Sequence, residues 1–240
     1  YYVIIPSFYQ GDTKGAALDV IYPEKRKELP VLYLLHGGVA DASCWIRFTE
    51  IEALAEEYGI AVVMPNVGNS YYTDMVHGPA YYTFVAEELP RMIRCVFPIS
   101  GKREDNYAAG LSMGGYGALK LAMGNPDRCK GAVSLSGVVD IMDLLNCGLY
   151  EELLDLDSIY GKEREKVKGS GDDIYFLTQK TADERKEIPR VYLAVGKDDY
   201  FAKTNQAYAQ MIGQLGIDYH FDLDEGGHDW NFWNPHLKSG

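Results

Sequence analysis

Short, almost wholly apolar runs alternate along this chain with stretches whose hydrophobic positions recur every three to four residues. Val31–Leu35, Ile60–Met64, Gly131–Leu135 and Val191–Val195 are continuous apolar or small-residue runs, as expected of strands buried on both faces. Asn106–Ala109 and Tyr219–Leu223 add two further strands. Thr49–Tyr58 has helical spacing, with Ile51, Leu54, Ala55 and Tyr58 on one face. Tyr81–Phe97 predicts a helix with a break or kink near Pro90. Met113–Met123 predicts a helix closed by Gly124-Asn125-Pro126, and Ala202–Leu215 and Asp229–His236 predict two more. At the start, Tyr1–Ile5 and Ala16–Tyr22 read as strands joined by a hairpin around Gly11-Asp12. Strand–helix alternation of this kind implies an α/β fold: a mostly parallel central sheet with helices on both faces. One stretch departs from it. Asp140–Glu187 is charged, is interrupted by Gly161, Gly169 and Gly171, and has no clear strand. It reads as an insertion before the next strand, over or beside the active site, with its charges on a solvated face.

The length of 240 residues fits one domain spanning 1–240. A hydrophobic fraction of 47% with 24% charged residues is that of an ordinary globule with a large core. The net charge of −12 argues against nucleic acid and anionic membranes as partners. Cys44, Cys95, Cys129 and Cys147 are scattered without a Cys-x-x-Cys pair, so structural zinc is not expected and reduced thiols are. No apolar run has the length of a membrane span. No leader is legible, although the chain opens at Tyr1 rather than Met, and a cytoplasmic location is the default expectation.

The chemistry begins at Tyr107-Ala108-Ala109-Gly110-Leu111-Ser112-Met113-Gly114-Gly115. A strand, Gly-x-Ser-x-Gly and a small-residue helix in that order form a nucleophile elbow. Serine there sits on a tight turn at the sheet edge. Gly110 and Gly114 supply room, and the helix N-terminus supplies free N–H groups.

Serine needs a base and a group that orients the base. Of the five histidines, His36 and His77 precede Ser112, against the chain order Ser, acid, His. His220 lies within a strand, and His236 lies well beyond the last strand. His228, in Glu225-Gly226-Gly227-His228-Asp229-Trp230, lies in a glycine loop just after the last strand, where open α/β sheets gather functional groups. The acid is expected after Val191–Val195, in Gly196-Lys197-Asp198-Asp199. Asp199, three residues beyond the glycine, is favoured over Asp198. Oxyanion donors are expected at the Met113 N–H and in the loop His36-Gly37-Gly38-Val39, with Gly38 preferred and Val39 the alternative.

Neither His-Glu-x-x-His nor a complete calcium loop occurs, although Asp222-Leu223-Asp224 and Asp155-Leu156-Asp157 resemble the start of one. There is no Walker A run and no strand-led Gly-x-Gly-x-x-Gly. No metal and no cofactor are therefore expected. Among the aromatics, Tyr71, Tyr72 and Trp230 are candidate walls of a substrate pocket.

With these residues in place, the chain resembles the esterase D-like branch of the α/β-hydrolases, close to the bacterial tributyrin esterases and related to S-formylglutathione hydrolases and feruloyl esterases. The resemblance covers nearly the whole chain. It rests on Leu34-Leu35-His36-Gly37-Gly38 with Trp45, Val62-Val63-Met64-Pro65-Asn66, Tyr71-Tyr72-Thr73-Asp74, Glu87-Glu88-Leu89-Pro90, the elbow, and Gly226-Gly227-His228-Asp229-Trp230. It implies Ser112 as nucleophile, His228 as base, Asp199 as acid, donors near Gly38 and Met113, and no cofactor. The expected activity is a serine carboxylesterase for short acyl groups, acetyl to butyryl, on sugars or extending to cinnamoyl esters. The expected partner is a small-molecule ester, with self-association into a homo-oligomer open. An S-formylglutathione-type thioesterase is the nearest alternative, and a binding module that has lost catalysis is an alternative of another class.

Overall fold

The computed structural model of the chain describes residues 1–6, 13–24, 27–148, 153–184 and 187–240. In chain order the elements that frame the site are β1 (Tyr2–Ile4), α1 (Leu18–Ile21), β2 (Val31–Leu35), α2 (Ser43–Phe48), α3 (Ile51–Tyr58) and β3 (Ala61–Met64). There follow α4 (Tyr81–Thr83), a π-helical turn (Phe84–Glu88), α5 (Leu89–Val96), β4 (Asn106–Leu111), α6 (Met113–Gly124) and β5 (Gly131–Leu135). The chain ends with α7 (Ile141–Cys147), α8 (Leu156–Tyr160), α9 (Ile174–Asp183), β6 (Arg190–Gly196), α10 (Ala202–Gln214), β7 (Tyr219–Asp224) and α11 (Trp230–Ser239).

These strands form one sheet in the order β1-β3-β2-β4-β5-β6-β7. Only β1 runs antiparallel, with Val3 opposite Val63. The shared direction puts the C-terminal ends of β2, β4, β5, β6 and β7 along one edge. Leu35 is level with Gly110, and Gly110 with Ser134, so the loops after those strands emerge side by side.

Strand periodicity divides the core in two. Val31, Tyr33 and Leu35 pack to one side of the sheet with α6, while Leu34, Val62 and Leu111 pack to the other with Trp45 and Trp233. Each such buried Val, Leu or Ile contributes about 1.5–3 kcal/mol. Helix α6 is buried along almost its whole length, which its run of Gly and Ala makes room for. It is covered by the segment between β5 and β6: Tyr116 donates its hydroxyl to Asp172 O (2.7 Å) and Thr181 donates to Met123 O (2.8 Å).

One expectation needs correction. Ala16–Tyr22 is not a strand: residues 18–21 form one helical turn, closed by Tyr22 N–H donating to Leu18 O (2.7 Å). Residues 16–22 pair with no strand of the sheet, and Leu18 and Val20 stay exposed. Gly11-Asp12 lies outside the described residues. The break expected near Pro90 takes the form of the π-helical turn directly before it. Pro90 has no N–H for the Ala86 carbonyl four residues back, and Arg128 Nη1 donates to that oxygen instead (3.3 Å). The last helix also runs further than predicted, to Ser239, with Asp229 capping its start by accepting from Asn231 N–H (2.8 Å).

Candidate active site

Ser112 stands where β4 turns into α6, with φ 53° and ψ −119°. A non-glycine residue at positive φ is strained, and surrounding contacts must hold it there. Ser112 N–H donates to Leu135 O at the end of β5 (2.8 Å), and Ser112 O accepts from Tyr116 N–H (3.1 Å). The flanking glycines are sterically required: a Cβ on Gly110 would run into the Gly114 backbone, and one on Gly114 into the Leu35 carbonyl.

The loops after β6 and β7 are joined backbone to backbone. Lys197 N–H donates to Asp224 O (2.8 Å) and Asp198 N–H to Gly226 O (3.0 Å). This registration delivers His228 to Asp199, with Nδ1 2.9 Å from Oδ2. Asp199 is 6% exposed, whereas the Asp198 side chain faces solvent. The other Asp199 oxygen accepts from Phe201 N–H (2.9 Å). Burial alone would raise the Asp199 pKa, but His228, Phe201 N–H and the Ser136 hydroxyl outweigh it and hold the carboxyl below its ordinary value. Ser136 is in turn fixed by Trp233 Nε1–H (2.9 Å), and Asn205 Nδ2 clamps Gly137 O and Phe201 O (2.8 and 2.9 Å). Trp233 also meets the His228 ring edge-on at 4.9 Å.

Ser112 and His228 line one cavity of about 380 Å³, together with Gly37, Gly38 and Trp230. The His36 loop is set from behind. His36 is fully buried; its Nε2 accepts from Val67 N–H (3.2 Å), so its Nδ1 carries the proton donated to Gly37 O (2.8 Å). Burial pushes the His36 pKa down, against the Gly37 hydrogen bond and the Asp41 charge, so the ring stays neutral. In a trans peptide the C=O and the following N–H point opposite ways. With Gly37 C=O drawn inward to His36, Gly38 N–H is turned outward. Val39 N–H, by contrast, is occupied by Asn69 Oδ1 (2.7 Å). Among the described residues, neither Gly38 N–H nor Met113 N–H meets an acceptor.

Tyr71 and Tyr72 are not among the residues lining this cavity. Tyr72 is wholly buried and donates its hydroxyl to His36 O (2.9 Å), while Tyr71 packs edge-on to Tyr116 at 5.7 Å. Both read as wall residues from sequence because they are loop aromatics; both stand at positive φ (51° and 50°) and are buried instead. Trp230 does line the cavity, stacked on Phe48 at 5.1 Å. Sequence reasoning missed Phe48, Arg47, Ser136 and Asn69. Ser136 was findable, since Leu135-Ser136-Gly137 ends the strand beside the elbow; Arg47 and Phe48 end a short helix that carries no motif.

Asp222, Asp224 and His236 are the one group among the described residues whose ligand atoms lie within 4.8 Å of each other. They sit at the sheet edge, with Asp222 accepting from Tyr192 OH (2.6 Å) and His236 beside Asp224 (3.0 Å). Among the described residues, no helix is long and apolar enough to cross a membrane.

A parallel sheet with a strained serine at its central strand end, and a histidine–carboxylate pair on the neighbouring rim, defines an α/β-hydrolase of the serine hydrolase class. The chain matches the Esterase family ("Putative esterase") over residues 16–240 and belongs to it. It is 34% identical to an acetyl esterase of Caldicellulosiruptor saccharolyticus over 93% of this chain and 89% of that protein. Among solved structures, fluorophosphonate-binding serine hydrolase F of Staphylococcus aureus, substrate bound, superposes with a TM-score of 0.85 at 34% identity, covering 99% of this chain and 88% of that one. An S-formylglutathione hydrolase of Staphylococcus aureus gives 0.82 at 33% identity, over 99% and 89%. The chain is a serine esterase.

Proposed function

We propose that Ser112, His228 and Asp199 form a catalytic triad that hydrolyses short-chain acyl esters, acetyl to butyryl, through an acyl-enzyme. His228 Nδ1 is engaged by Asp199, which leaves Nε2 to take the Ser112 proton as Oγ attacks the ester carbonyl. The tetrahedral oxyanion is held by Gly38 N–H and Met113 N–H. On collapse, His228 returns the proton to the leaving alcohol. Water then attacks the acyl-enzyme, gives its proton to His228, and frees the acid as Ser112 recovers its hydrogen.

The observation that carries this reading is the 2.9 Å His228–Asp199 bond on the rim of the cavity that Ser112 lines. Short acyl groups are supported by the small aromatic-walled cavity and by the acetyl esterase relative. A thioesterase acting on S-formylglutathione is the second reading, favoured by the similarity to a hydrolase of that name. Turnover of p-nitrophenyl acetate, butyrate, octanoate and cinnamate beside S-formylglutathione tests both. The first reading expects kcat/KM to peak at acetate or butyrate and to exceed that for the thioester. A peak at octanoate, or dominant thioester turnover, contradicts it.

A further inference from the structure

A second cavity, of about 260 Å³, lies at the opposite end of the sheet, where β4 begins. Its apolar surface comes from Val85, Pro90, Ala108 and Leu121. Its charge is anomalous for a molecule of net charge −12: three guanidinium groups, Arg91, Arg94 and Arg128, face one carboxylate, Glu87. Glu87 is shared by Arg91 (3.0 Å) and Arg128 (2.7 Å). Arg94 has no ion pair or hydrogen bond among the described residues. Its side chain lies past Gly101, where a Cβ would stand 3.6 Å from the Arg94 Cδ.

The other polar groups of the lining are largely satisfied. Asn106 Nδ2 donates to Ser100 O and Lys102 O (3.0 and 2.6 Å), Asn125 Nδ2 to Tyr82 OH (2.9 Å), and Cys129 Sγ to Gly131 O (3.3 Å). Tyr33 is the exception. It is 7% exposed, and its buried hydroxyl has no hydrogen-bond partner among the described residues. Burial pushes this phenol up to about 12, with the Arg94 charge pulling the other way, which puts Arg94 within electrostatic reach of Tyr33. An orphaned buried hydroxyl costs about 1–3 kcal/mol, which an acceptor arriving with a ligand would relieve.

We propose that this cavity is a binding site for a small organic monocarboxylate with an apolar body, separate from the ester site, in which Arg94 pairs with the carboxylate and Tyr33 donates its hydroxyl to it. A single uncommitted guanidinium matches the fork of one carboxylate. Glu87 at the rim disfavours a dianion such as a phosphate monoester. The volume lies just below the range of about 300–1,000 Å³ typical of drug-sized ligands, so the ligand is small.

The test is a calorimetric titration of the full chain with sodium benzoate and with sodium hexanoate, against sodium chloride at matched ionic strength and against neutral benzamide. Saturable binding of at least one carboxylate is expected, with a Kd of about 1 mM, the range open to so small a ligand. Arg94→Gln, at an exposed position, should weaken it about tenfold. The isosteric Tyr33→Phe should weaken it severalfold, and Trp230→Ala in the ester cavity should leave it unchanged. No saturable binding of either carboxylate, equal binding of benzamide, or unchanged affinity in Arg94→Gln would each overturn the proposal. So would loss of binding in Trp230→Ala, which would place the ligand in the ester cavity.

Discussion

At the scale of single residues, the roles divide by what each side chain touches. In the proposed triad Asp199 holds the His228 tautomer, so Asp199→Asn should lower kcat by about 10³–10⁴ with little change in KM, as measured on p-nitrophenyl acetate. Because its carboxyl is held below the ordinary value, Asp199 contributes stability above about pH 4 that is lost as pH falls through its folded value. His36 acts in a higher window. Its folded imidazole is depressed from an unfolded value of about 6.5, so below that pH the unfolded chain binds a proton that the folded chain refuses. Stability should therefore decline as pH drops below about 6.5. Thermal melts from pH 8 to 5 should show a shallower decline in His36→Asn than in the parent; parallel slopes would contradict the assignment. Much of this site was legible. Gly-x-Ser-x-Gly and a glycine loop after a terminal strand are local signals, and Ser112 and His228 stood in them. Asp199 was preferred to Asp198 on its offset from Gly196, and it is the Asp199 carboxylate that stands 2.9 Å from His228 Nδ1. Ser136 and Asn69 act through contacts across the chain, to Trp233 and Val39, that no local spacing encodes.

At the scale of elements, the elbow depends on two glycines packed backbone against backbone. Gly114→Ala would drive a Cβ into the Leu35 carbonyl, at a cost of about 1–3 kcal/mol and with displacement of Ser112. A melting-temperature drop accompanied by a disproportionate fall in kcat is expected; an active, equally stable variant would contradict the packing. Strands buried on both faces were readable because continuous apolar runs have few alternatives in a soluble α/β chain. Ala16–Tyr22 misled for the complementary reason: its apolar residues are not buried against the sheet, Leu18 and Val20 stay exposed, and no strand pairs with it. Pro90 signalled the irregularity in this helix, but its π-helical form did not show in the spacing, and the Ala86 carbonyl is met by Arg128, 42 residues away.

At the scale of the whole molecule, helix α6 is clasped between the sheet and the segment that precedes β6. Lys120, 2% exposed on α6, pairs with Asp172 and donates to Tyr72 O (3.0 Å) and Thr73 Oγ1 (2.9 Å), so one ammonium ties three parts of the chain. Removing one partner of such a buried pair leaves an uncompensated charge. Asp172→Asn should destabilise by about 3–5 kcal/mol, and adding Lys120→Met should recover part of that in denaturant melts; additive losses would show that the pair is not coupled. None of the described residues of 140–187 lines the cavity that holds Ser112 and His228. The account as a whole stands on Ser112 being the nucleophile that a base on another loop activates. Fluorophosphonate labelling followed by peptide mass mapping tests this most directly. One adduct per chain on the peptide bearing Ser112 is expected, absent in Ser112→Ala and strongly slowed in His228→Ala, whereas an adduct on another residue or undiminished labelling of Ser112→Ala would contradict it.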